Sequence, residues 1–198
     1  MFDGAAKTKY GPSLNDVLET GPNLNPDLLS VLLRFRLHKI AWIADIEKAF
    51  LNIALQPEDA EAIRFLWPKE PGNPCSELTA LKWIRVPIGL SPSPFLLRIC
   101  INKHLLSVKH RFPETVQQIE EQLYVEHYLG GADKEEKAIE MVEQTITLFS
   151  EAKLNMWSFA TRSIDLKGIF IIDLCVYMYL RLDLFHFSCL DSQLALIL

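Results

Sequence analysis

Asp45 stands at the end of an apolar, β-branched run, Ile40-Ala41-Trp42-Ile43-Ala44, that predicts a buried strand. A carboxylate in that position can hold a metal ion or a catalytic charge. The same residue would also serve as the N-cap of a helical turn opening at Ile46, and the stretch alone leaves both readings open. A tight connection and a second apolar stretch, Leu51 to Leu55, follow. Two more polar residues, Glu126 and His127, interrupt a short strand-like run from Leu123 to Leu129. Between these places lies Pro87-Ile88-Gly89-Leu90-Ser91-Pro92-Ser93-Pro94, where three prolines and a glycine fix a rigid loop and the serines can cap what comes next.

The elements that must position these residues are legible from their periods. Phe2 to Pro22 is turn-rich, with Ser13 or Asn15 opening a short helical turn. Asn25-Pro26-Asp27 predicts a helix start, and the helix that follows carries Leu28, Leu29, Leu32 and Leu33 along with Arg34, Arg36 and Lys39. Pro57 to Ala60 predicts a short helix, and Ile63 to Trp67 a strand that pairs across a Pro/Gly loop with Leu78 to Val86. Phe95 to Val108 reads as an amphipathic helix, with Phe95, Leu96, Ile99, Leu105 and Leu106 inward and Arg98, Lys103 and Lys109 outward. A helix from Pro113 to Gln122 precedes the strand-like run, which Gly130-Gly131 is expected to close as a turn. Asp133 is then expected to cap a long helix reaching Lys153.

Composition bounds the rest. A 198-residue chain with 49% apolar residues and net charge −5 is globular, and is not basic throughout. The charge is uneven: 31–111 holds twelve Lys/Arg against seven Asp/Glu, a local +5, while 112–151 holds ten acids against Lys134 and Lys137, a local −8. Only the first part could meet a polyanion, although solvated faces of alternate sign give the same counts. Cys75, Cys100, Cys175 and Cys189 are far apart, which favours reduced thiols in an intracellular setting, cytoplasmic or nuclear. Met1-Phe2-Asp3-Gly4 does not read as a signal peptide. From Ser163 the chain becomes rich in Leu, Ile and Phe without a period, and Asp173, Arg181, Asp183 and His186 break any uncharged run long enough for a bilayer. The expectation is one fold over 1–162, with 163–198 outside it and no membrane role.

Three stretches in order carry a family resemblance. Phe2-Asp3-Gly4-Ala5-Ala6-Lys7 with Ser13-Leu14-Asn15-Asp16 and Gly21-Pro22-Asn23-Leu24 is similar to the opening of the reverse transcriptase domain of BEL/Pao retrotransposons. Leu33 to Ile40 running into Ala44-Asp45-Ile46-Glu47-Lys48-Ala49-Phe50 resembles its first catalytic motif, and Val86 to Phe95 its template- and nucleotide-facing loop. The resemblance implies an α+β fold, a right-hand polymerase palm with a ferredoxin-like antiparallel sheet backed by helices, plus partial fingers. It further implies two Mg²⁺ (or Mn²⁺) ions held by carboxylates, an RNA or DNA template-primer, a deoxynucleoside triphosphate, and no small-molecule cofactor.

Residue by residue, the resemblance places Asp45 as the first catalytic aspartate and metal ligand. Phe50 falls on the aromatic position under the sugar, with Ile88 and Gly89 beside the nucleotide. The family's third motif, Tyr-x-Asp-Asp, here reads Tyr124-Val125-Glu126-His127. Glu126 keeps a carboxylate, longer by a methylene, as catalytic group and metal ligand; His127 brings a neutral nitrogen that suits Mn²⁺ or Zn²⁺ better than Mg²⁺. Leu154-Asn155-Met156-Trp157 puts Met156 where the family has lysine. The expectation is a catalytically defective domain. An alternative is a non-catalytic remnant that binds nucleic acid through Arg34, Arg36, Lys39, Arg64, Lys82 and Arg85.

Overall fold

Ser13 and Asp16 each accept the other's backbone N–H, a capping box that starts the four-residue helix α1 (Leu14–Val17). A computed structural model describes residues 3–7, 9, 11–73, 75–161 and 163; apart from Ser163, the tail expected to lie outside the fold falls outside these residues. Helix α2 (Leu28–Leu37) is capped by Asp27, whose carboxylate accepts Ser30 N–H at 2.9 Å, so Pro26 lies before the helix and not within it. The chain then enters β1 (Ile40–Ile46). Asp45 is therefore a strand residue, which settles the choice against a helix N-cap.

After β1 the apolar stretch from Leu51 does not continue as a strand. It falls in a 3₁₀ turn, Ala49–Asn52, and reaches a single bridge between Ala54 and Arg85. Gln56 leads into α3 (Pro57–Ala60), and β2 (Arg64–Pro68) pairs antiparallel with β3 (Leu78–Lys82) as a separate two-stranded ribbon.

Helix α4 (Ser93–Val108) buries Leu97, Ile101, Leu105 and Val108, a stripe one position out of phase with the expected one; Ile99 and Leu106 face solvent. Its N-cap is Pro92, and Ser93 instead donates its hydroxyl to Pro87 O at 3.1 Å. Arg98, expected outward, is buried. The reason is local: it reaches the carbonyl end of α5 (Pro113–Gln122), where Glu120 O and Leu123 O would otherwise lack partners.

β4 (Leu123–Tyr124) turns through Val125 and Glu126 into β5 (His127–Ala132). Gly130 and Gly131, expected to turn the chain, lie inside β5, opposite Trp42 and Ala41. Glycine is needed there for packing, because a Cβ at Gly130 would stand 2.4 Å from the Trp42 ring and one at Gly131 2.2 Å from His38. Helix α6 (Glu135–Glu151) is capped one residue later than expected: Lys134 is the N-cap and makes no side-chain capping bond. The last element, β6 (Met156–Thr161), was not expected as a strand.

The main sheet has the order β4-β5-β1-β6, every pairing antiparallel. Between β1 and β5 the chain makes helices α4 and α5, and between β5 and β6 it makes α6, so two β-α-β crossovers interleave in one α+β fold. Along β1, Trp42 and Ile46 join Leu97, Ile101 and Leu105 of α4, Val116 and Ile119 of α5, and Met141, Val142, Leu148 and Phe149 of α6 in one core. Each large side chain removed from water in this way contributes about 1.5–3 kcal/mol. The alternate residues Ala41 and Ile43 face the other way, toward a groove walled by α2.

Candidate active site

The period of β1 places Asp45 on the same open side of the sheet as Ala41 and Ile43. Its cross-strand partners are His127 on β5 and Trp157 on β6, so the central carboxylate is flanked by an imidazole and an indole. His127 Nδ1 lies 2.6 Å from Asp45 Oδ1, within a short charge-assisted hydrogen bond. Glu126 occupies the two-residue turn just before, and its carbonyl accepts Ile46 N–H at 2.9 Å, tying the β4–β5 hairpin to the end of β1. The hairpin residues Glu126 and His127 are thus brought to the end of β1, where Asp45 lies.

The hydrogen bond to Asp45 raises the His127 pKa from the ordinary 6.5; partial burial opposes the rise, and the charges of Asp45 and Glu126 support it. A histidine raised in this way contributes stability that is full below its unfolded value and is lost as pH climbs through the folded one. The His127 side chain is half exposed, so the contribution is small. An NMR titration of His127 is expected to show a midpoint above 6.5 that falls in Asp45→Asn. A midpoint unchanged by that substitution would contradict the pairing. Glu126 is shifted toward its protonated form, chiefly by burial; His127 partly offsets this and Asp45 adds to it.

This donor set does not fit a pair of Mg²⁺ ions. Magnesium takes hard oxygen ligands in octahedral array. Here one Asp45 oxygen is engaged by an imidazole, and burial biases the Glu126 carboxyl against carrying charge. Among the described residues no group of three His, Cys, Asp or Glu side chains is gathered to hold a metal ion.

Phe50, in the 3₁₀ turn, is half-buried and packs against the core. Asn52 of the same turn donates to Glu47 O at 2.8 Å and accepts Arg85 Nη1–H at 3.2 Å on its carbonyl. Ile88 is exposed, and Gly89 has φ +107°, a backbone state that favours glycine. The loop is held by Asn15, whose side-chain amide donates to Gly89 O and accepts from Ser91 N, both at 2.9 Å.

The six candidate cations do not form one patch. Arg34 faces Glu121 at 3.7 Å, and Arg64 and Lys82 share Glu61 on the two-stranded ribbon. Arg36 and Lys39 line the groove on the open side of the main sheet, and among the described residues neither enters an ion pair. Sequence reasoning missed Trp157 as a site neighbour and Arg98 as a support of the hairpin. For Trp157 the signal was weak, since Met156 to Thr161 contains strand-forming residues but does not alternate apolar with polar.

Cys75 and Cys100 are free and exposed, and no described helix is long and apolar enough to cross a membrane. A scan against protein-family models finds no match for this chain, and a search of the curated proteins finds no relative.

Proposed function

We propose that this chain is the palm of a BEL/Pao-type reverse transcriptase in which the third catalytic motif has lost nucleotide addition. What supports the reading is one placement: the order β4-β5-β1-β6 sets the Tyr124–His127 hairpin beside Asp45, where a polymerase palm of ferredoxin-like topology would bring its carboxylates together. With His127 hydrogen-bonded to Asp45, the site has an imidazole on the carboxylate where charge-balancing cations would be needed. Retained binding of nucleic acid is the second reading. Arg36 and Lys39, free of ion pairs among the described residues and on the same side of the sheet as Asp45, favour it.

Primer extension on an RNA template, with Mg²⁺ and then with Mn²⁺, tests both. No extension is expected from the natural chain. Salt-sensitive binding of the template-primer is expected, weakening in Arg36→Glu with Lys39→Glu. Extension by the natural chain would overturn the defect, and extension by Glu126→Asp with His127→Asp alone would locate it in the hairpin. A failure of both the natural and the substituted chains to bind template-primer at low salt would overturn the palm reading itself.

A further inference from the structure

His127 Nδ1 lies 2.6 Å from Asp45 Oδ1, and an ionised carboxylate can only accept a hydrogen bond. Nδ1 therefore carries the proton, and in the neutral ring Nε2 keeps a free lone pair. Among the described residues Nε2 has no hydrogen-bond partner, and the ring is half exposed on the open side of the main sheet. An imidazole oriented by a carboxylate at one nitrogen and bare at the other is the arrangement of a general base. The Glu126 carboxyl is close enough for the charges of His127 and Asp45 to act on it.

The same side of the sheet carries Arg36 and Lys39 beside Ala41 and Ile43. From Ala41 to Asp45 along β1 is about 13 Å, or roughly four stacked nucleotides of one strand. A single strand held on those cations therefore passes the imidazole.

We propose that Asp45, Glu126 and His127 cleave RNA by internal transesterification, a step that rests on the reading that the chain binds nucleic acid through Arg36 and Lys39. His127 Nε2 takes the proton of a ribose 2′-hydroxyl. The 2′-oxygen bonds to the adjacent phosphorus as the bond from phosphorus to the 5′-oxygen breaks, and Glu126 gives its proton to the departing oxygen. The products are a 2′,3′-cyclic phosphate and a free 5′-hydroxyl. Exchange with water returns a proton to Glu126 and removes one from His127, so nothing besides the RNA is consumed. Asp45 is a positioning residue, which fixes the ring's tautomer and steadies the imidazolium. DNA lacks the attacking oxygen and stays intact.

The test incubates the full chain in EDTA with a labelled single-stranded RNA, and with DNA of the same sequence. Cleavage of the RNA alone, leaving 2′,3′-cyclic phosphate ends, is expected. His127→Ala should slow it about a hundredfold or more, the usual share of a general base, with RNA binding unchanged. Asp45→Asn should lower kcat and leave KM as it was, a split that loss of structure does not produce. Glu126→Gln should be slow on ordinary RNA and recover where sulfur replaces the scissile 5′-oxygen, because a thiolate leaves without a proton. RNA that binds but stays intact, or cleavage as fast in His127→Ala, would overturn the inference and leave the binding reading standing. RNA that fails to bind at low salt would overturn both.

Discussion

Gly130→Ala is expected to destabilise the fold by about 3 kcal/mol or more, as steric overpacking of a tight core does when the neighbour cannot retreat. An alanine methyl at 130 would lie 2.4 Å from Trp42 Cε2 and 2.5 Å from Nε1. The indole has no room to yield: Trp42 is wholly buried and meets Tyr128 edge-on, with 6.3 Å between ring centres. Gly130 does not have a positive φ, so the penalty is one of contact and not of backbone strain. That separates two explanations of a pair of glycines in a strand. If contact is the cause, Trp42→Leu should restore part of the stability lost in Gly130→Ala, measured as a non-additive pair in urea unfolding. Strict additivity of the two losses would refute the contact.

Arg98→Met is expected to cost about 2–4 kcal/mol, the scale of losing hydrogen bonds from a charged group and leaving their buried acceptors unpaired. Arg98 Nη1 donates to Leu123 O at 3.0 Å and Nη2 to Glu120 O at 2.7 Å. Burial pulls the guanidinium pKa down and the nearby Glu120 charge opposes that, so the charge sits in its place at a cost. Methionine removes that cost but leaves two carbonyls at the end of α5 without donors. Those carbonyls outweigh the relief, because β4 starts at Leu123 and the hairpin carrying Glu126 and His127 hangs from it. Arg98→Lys keeps the charge without the fork and should fall between the two. The check is the urea midpoint, together with the His127 ring resonances, which should shift in Arg98→Met. A midpoint equal to that of the natural chain would show that the carbonyls find water instead.

Most elements were legible because local patterns decide them. The β-branched run at 40–44, the proline starts at 57 and 113 and the long amphipathic stretch before residue 151 each carry their own period or punctuation. Phase and partner were not legible in the same way. Arg98 reads as a surface residue until α5 brings its carbonyl end against α4, and Gly130-Gly131 reads as a turn until the Trp42 ring needs the space that a side chain would fill. The candidate site divides along the same line. The family resemblance could name Asp45, Glu126 and His127. Only the antiparallel register of β1 with β5 set His127 against Asp45 at 2.6 Å, and only that of β1 with β6 put Trp157 on the other flank. Residue types are properties of the chain, whereas a hydrogen bond across 82 positions depends on a register that the whole sheet and its core must agree on.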